Sequence, residues 1–181
     1  MRSGCPSASR YPVCVGWGTL AGLGPRMRDL GLCGTAHIVS DETVWSIYGE
    51  KAKTSLQEAG IPADHLRFAP GEASKTLETA ARMYDWLVEC RAEREDCIVA
   101  LGGGVVGDLA GFVAATFLRG VHLVHVPTSL IAMVDASIGA DPNAAVRAAA
   151  DRLVEVGADA DAADLLDAVR ELDGGDRPHD T

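Results

Sequence analysis

The segment richest in chemistry is Leu101-Gly102-Gly103-Gly104-Val105-Val106-Gly107-Asp108, between a short apolar run and a helical one, Leu109 to Leu118. Glycines strip Cβ atoms from such a turn, so backbone N–H groups can close on a diphosphate, and a helix N-terminus adds a favourable dipole. Gly102, Gly104 and Gly107 also satisfy GxGxxG, a pattern that a plain strand-to-helix turn satisfies as well. A dinucleotide fingerprint wants a carboxylate about 20 residues further on to hold a ribose hydroxyl. That window reads His122-Leu123-Val124-His125-Val126-Pro127 and contains none. An acid at a strand end lies upstream instead, Asp41 after Ile38-Val39-Ser40. Spacing alone leaves two roles open for it, a ribose contact or the N-cap of a helix beginning near Val44.

Two more polar loops close expected strands. In Pro70-Gly71-Glu72-Ala73-Ser74-Lys75, Ser74 is placed to cap the following helix, and Glu72 with Lys75 reads equally as a solvated pair. Pro127-Thr128-Ser129 sets small hydroxyls where open α/β sheets take their ligands, outside the C-terminal ends of strands. Arg119 and Asp135 stand in mainly apolar surroundings, where an unpaired charge is costly, so each needs a partner or a ligand. His122 and His125 invite a metal, but residues three apart on a strand point to opposite faces and do not grip one ion together.

The elements that must position these residues alternate from Tyr11 to about Gly139. Strands are expected at Val13 to Gly16, Ala36 to Ser40, Leu66 to Ala69, Cys97 to Leu101 and Val121 to Val126, with helical patterns between them. That order implies parallel pairing with right-handed crossovers, a Rossmann-like, doubly wound, mostly parallel α/β sheet. Ile98 to Leu101 is apolar without alternation, as a central strand covered on both faces should be.

Charge divides the chain. Its 181 residues carry a formal −10, and 48% are hydrophobic, enough for an ordinary globular core. Residues 141–181 hold 11 acids and 4 bases, whereas residues 1–140 hold 15 and 12. This acidic balance argues against a nucleic-acid binder. The longest uncharged stretch, Gly120 to Val134, is 15 residues and includes Pro127, too short for the roughly 20 apolar residues of a membrane span. Five cysteines without a CxxC pair or a leader segment read as reduced thiols in a cytoplasmic protein. The expected organisation is a flexible N-terminus (1–10), a nucleotide-binding α/β domain (11–140) and an acidic, Ala-rich helical tail (141–181). Deleting that tail is expected to promote aggregation.

Gly71-Glu72-x-x-Lys75, the glycine turn continued through Leu109-Ala110-Gly111-Phe112, Arg119-Gly120, Val126-Pro127-Thr128-Ser129-Leu130 and Val134-Asp135-Ala136-Ser137-Ile138-Gly139 together resemble the N-terminal half of the 3-dehydroquinate synthase family. The resemblance implies a lyase dependent on NAD and a divalent metal, zinc or cobalt. It converts 3-deoxy-D-arabino-heptulosonate 7-phosphate, a sugar phosphate, to 3-dehydroquinate and phosphate, in the shikimate pathway toward aromatic amino acids. It also implies roles by motif. Asp41, Glu72 and Lys75 would contact the adenosine part of NAD, Gly103, Gly104 and Asp108 the diphosphate and nicotinamide region, and Thr128 and Ser129 the cofactor again. Gly71, Val105 and Gly107 complete that set. Arg119 would meet substrate phosphate from the neighbouring subunit of a homodimer, and Asp135 would contact substrate.

The pattern departs after Gly139. The family continues with a second Gly, a Lys and a Thr, then a Lys-Asn pair, whereas this chain reads Ala140-Asp141-Pro142-Asn143, with an acid where the substrate lysine is expected. The family's metal-binding Glu and two His have no counterparts, since only His179 lies beyond Asp141. The expectation is therefore a truncated synthase that keeps the cofactor domain and is inactive alone. The alternatives are a free-standing NAD-binding or partner-binding module, or a fragment of a related sugar-phosphate cyclase.

Overall fold

The computed structural model describes residues 12–16, 18–130, 132 and 133. Four strands, β1 (Ala36–Asp41), β2 (Ala63–Phe68), β3 (Cys97–Gly102) and β4 (His122–Pro127), form one sheet in the order β2-β1-β3-β4. Every neighbouring pair is parallel. Between the strands run α1 (Leu23–Asp29), α2 (Glu42–Val44) leading through a π turn into α3 (Glu50–Glu58), α4 (Leu77–Glu89) and α5 (Gly104–Thr116).

Each helix exists because it has a face to bury. In α4, Ala80, Met83 and Leu87 recur at helical spacing, and Thr76 caps its start by accepting the Thr79 N–H at 3.1 Å. Together with Leu109, Phe112 and Val113 of α5 they cover one side of the sheet at Val39, Ile98 and Ala100. Leu23 and Met27 of α1, with Ala52 and Leu56 of α3, cover the other side at Ile38, Val99 and Leu101. Right-handed crossovers dictate that division, since the chain travels one way along the sheet from β1 to β2 and the opposite way through β3 to β4. All of β3 is buried, in keeping with its unbroken apolar run.

Four expectations shift. Residues 13–16 form no strand among the described residues: Val15 is 90% exposed, and an apolar run without a ladder to join does not become one. β2 begins at Ala63, before the expected Leu66, because pairing with β1 recruits the polar Asp64 and His65. α5 begins at Gly104, well before Leu109, since the packed face that starts at Val106 outweighs the weak helix propensity of glycine. It also ends at Thr116, before the expected Leu118, where the chain turns left-handed at φ 49°. No described helix is long and apolar enough to cross a membrane. The N-terminal segment 1–10, the expected tail 141–181 and Asp135 lie outside the described residues.

Candidate functional site

The parallel register brings the C-terminal ends of the strands to one edge, where Asp41 pairs with Phe68, Ser40 with Leu101 and Gly102 with Pro127. The polar loops singled out in the sequence all leave from this edge. The strand order reverses between β1 and β3, the place where open α/β sheets form a ligand crevice.

At its centre β3 passes into α5 through a single extended residue, Gly103, which caps the helix without a side chain to offer. The first intrahelical bond runs from Gly107 N to Gly103 O at 3.0 Å, so the N–H groups of Gly104, Val105 and Val106 precede the ladder at the positive end of the helix dipole. The glycines divide by role. A Cβ on Gly102 would lie 2.5 Å from Val106, so this one serves close packing. A Cβ on Gly104 would meet nothing within 4 Å, and one on Gly103 would only approach Ser129 Oγ at 3.7 Å, so these two face open space. Gly107 is buried in the helix. Thr128 N donates to Gly102 O at 2.9 Å, which holds the β4 loop beside the glycine turn, and Ser129 Oγ accepts from Ala132 N at 3.3 Å within that loop.

Lys75 is 3% exposed and donates to Asp108 Oδ2 at 2.5 Å. This replaces the solvated Glu72–Lys75 pair: Glu72 is exposed on a short 3-10 turn, and Lys75 crosses 33 residues of chain to reach α5. Ser74 does not cap α4 either. Its hydroxyl donates to Ala69 O, folding the loop on itself, while Thr76 takes the cap, and the turn at Gly71 adopts φ 101°. Asp41 accepts the Val44 N–H at 2.9 Å, so its carboxylate caps the helix after β1 at the same edge.

His125 was not singled out for this edge from the sequence. Burial lowers its imidazole below the usual 6.5, and the nearby Asp108 carboxylate opposes that shift, so the two are electrostatic neighbours. The strand register carried the signal, since His125 sits opposite Ala100, two residues before Gly102. His122 is exposed and His125 half-buried, as opposite faces require.

Arg119 is not part of this edge. It follows the far end of α5, exposed, at φ 66° between Leu118 and Gly120, which are also left-handed. Nor does the edge offer a metal set. Among the described residues one group of His, Cys, Asp or Glu side chains is spaced to hold an ion, His37 with Asp64 and Cys90, and it lies at the other end of the strands.

A wholly parallel, doubly wound sheet with a glycine turn opening a helix beside its switch point is an α/β domain of the Rossmann-like class. The chain belongs to the 3-dehydroquinate synthase N-terminal family, whose model matches residues 65–155. A 3-dehydroquinate synthase from Symbiobacterium thermophilum is 50% identical over 131 residues, 72% of this chain and 37% of that protein. Among solved structures, a 2-epi-5-epi-valiolone synthase from Streptomyces hygroscopicus subsp. jinggangensis 5008, with NAD+ and Zn2+ bound, is 32% identical at a TM-score of 0.65, covering 77% of this chain and 38% of that one. A 2-deoxy-scyllo-inosose synthase complexed with carbaglucose-6-phosphate, NAD+ and Co2+ is also 32% identical, at a TM-score of 0.60, covering 65% of this chain and 32% of that one. The chain thus spans little more than a third of the length of the curated relatives it matches.

Proposed function

We propose that this chain is the NAD-binding part of a 3-dehydroquinate synthase-type lyase acting on a sugar phosphate in the cytoplasm. The observation that carries the reading is the start of α5, where Gly103 leaves the cap empty and Gly104 keeps a space clear of side chains. A diphosphate placed there would accept the N–H groups of Gly104 and Val105 at the helix's positive end. Bound at this edge, NAD would supply reversible hydride acceptance, which no side chain provides.

The chain's own residues would do the positioning. Asp41, Gly71, Glu72 and Lys75 border the β1 and β2 side of the crevice, and Gly107 and Asp108 sit in the first turns of α5. Thr128 and Ser129 would close the β4 side, and Lys75 would hold Asp108 in place. Asp41 both caps its helix and stands at the strand end where a ribose would lie, so its two roles are compatible.

Arg119 supports a homodimer. α5 has 13 residues, about 20 Å at 1.5 Å per residue, so Arg119 cannot reach a substrate beside Gly104 of its own chain. Its contact with substrate phosphate would therefore be made to a second copy, and Asp135 would contact substrate. The identity near 50% to 3-dehydroquinate synthases, against 32% to the two solved cyclases, favours the dehydroquinate reaction over a related cyclisation.

Calorimetry with Gly104→Ala tests the reading. The added methyl meets no protein atom, so the melting temperature should hold while NAD+ binding weakens on the order of tenfold, the loss of roughly one charged hydrogen bond. Unchanged affinity would count against the glycine turn as the diphosphate site.

A further inference from the structure

The N-terminal ends of the strands hold a second polar cluster. His37 on β1 is 1% exposed, and the β1–β2 register sets it opposite Asp64. Its Nε2 lies 3.4 Å from Asp96 Oδ2, while Nδ1 is buried with no hydrogen-bond partner among the described residues and stands 3.6 Å from Asp64 Oδ2. Cys90, which closes α4, brings its sulfur to the same point, so that one donor atom each from His37, Asp64 and Cys90 lie within 4.8 Å of one another.

The surroundings fix these groups. Asp96 Oδ1 accepts from Thr35 N and its Oδ2 from Glu93 N, each at 2.7 Å, which leaves Oδ2 facing His37 from behind. Gly34 allows this closure, since a Cβ there would fall 2.4 Å from Glu95 O. Trp86 stands edge-on to the imidazole at 5.6 Å. Asp96 on Nε2 favours the tautomer with its proton there, which turns the Nδ1 lone pair toward Asp64 and Cys90. A carboxylate on one ring nitrogen and an open lone pair on the other is how metal-ligating histidines are held.

Distance and charge agree with an ion. Zinc bonds of about 2.0–2.2 Å at tetrahedral angles place a nitrogen and an oxygen ligand about 3.5 Å apart. Nδ1 and Asp64 Oδ2 already stand at 3.6 Å. Without a cation the Nδ1 lone pair faces a carboxylate whose partner is the Cys90 thiol; with one, a neutral imidazole, a carboxylate and a thiolate balance a charge of +2. We propose that His37 Nδ1, Asp64 and Cys90 bind a zinc ion, with water in the fourth position and Asp96 orienting the imidazole. The mixed nitrogen, oxygen and sulfur donors select zinc over magnesium or calcium. The Asp64 side chain is 47% exposed, which gives the ion its entry path. As sulfur takes the metal, the Cys90 thiol proton leaves to solvent. The ion would clamp β1, β2 and the end of α4 together at the edge opposite Gly103.

Cobalt(II) titration of the purified, metal-free chain tests this, because a cysteine ligand to cobalt produces a thiolate charge-transfer band. The expected result is one equivalent of cobalt bound with that band, zinc displacing it and zinc raising the melting temperature. Cys33→Ser, an exposed thiol outside the cluster, should keep the band. Cys90→Ser should abolish it while preserving the metal-free melting temperature, and Asp64→Asn should weaken binding about tenfold or more. A band that survives Cys90→Ser, or no band in the unaltered chain, would overturn the site and leave His37 as an imidazole held between two carboxylates.

Discussion

Lys75 shows what a single buried charge demands. At 3% exposure its ammonium is sustained by Asp108, whose side chain is 19% exposed, so the two charges are energetically coupled. Lys75→Met should lower stability by on the order of 2–3 kcal/mol in urea unfolding, and Lys75→Met with Asp108→Asn should recover part of that loss. Beside them His125 sets a pH dependence. Its folded-state affinity for protons lies below the usual 6.5, so it stays neutral in the fold while an unfolded chain protonates it first. Its contribution is present above pH 6.5 and is lost as pH falls through the lower, folded value. The urea midpoint should therefore drop between pH 7.5 and 5.5, and drop less in His125→Asn; an identical drop in both would exclude His125 as a source. The sequence could place Lys75 in a polar loop, Asp108 at the end of the glycine turn and His125 in a strand. It could not pair them, since Lys75 and Asp108 are 33 residues apart and meet only when α4 and α5 share a face of the sheet.

At the scale of elements, the turn from β3 into α5 decides most. Gly102 lets the strand end against Val106, and Gly102→Ala should cost roughly 1–3 kcal/mol because that branched, buried side chain has nowhere to withdraw. Gly104→Ala should leave stability alone, so the two substitutions separate packing from ligand space within one motif. The sequence located this turn and most strands because apolar runs bounded by loops are local signals. It misplaced β2's first half and the start of α5, where pairing with β1 and packing below Val106 override local preference. Thr76 likewise took the cap expected of Ser74: two hydroxyls two residues apart offer the same chemistry, and only the path of the loop decides between them.

For the molecule as a whole, the two ends of one sheet carry different chemistry. The C-terminal edge gathers Asp41, Lys75, the glycine turn and Thr128, which parallel pairing made legible in advance because every strand must end on the same side. The N-terminal edge gathers His37, Asp64, Cys90 and Asp96, none of which forms a sequence motif, because their contact depends on strand register and on where α4 stops. On the proposed function the C-terminal edge is the one that binds NAD. The most direct measurement is an amide NMR titration of the 181-residue chain with NAD+. Saturable shifts are expected at Gly103, Gly104, Val105 and Thr128, with His37 and Asp64 unmoved. Amides of the glycine turn that stay in place at saturating NAD+, or shifts confined to the opposite edge, would contradict it.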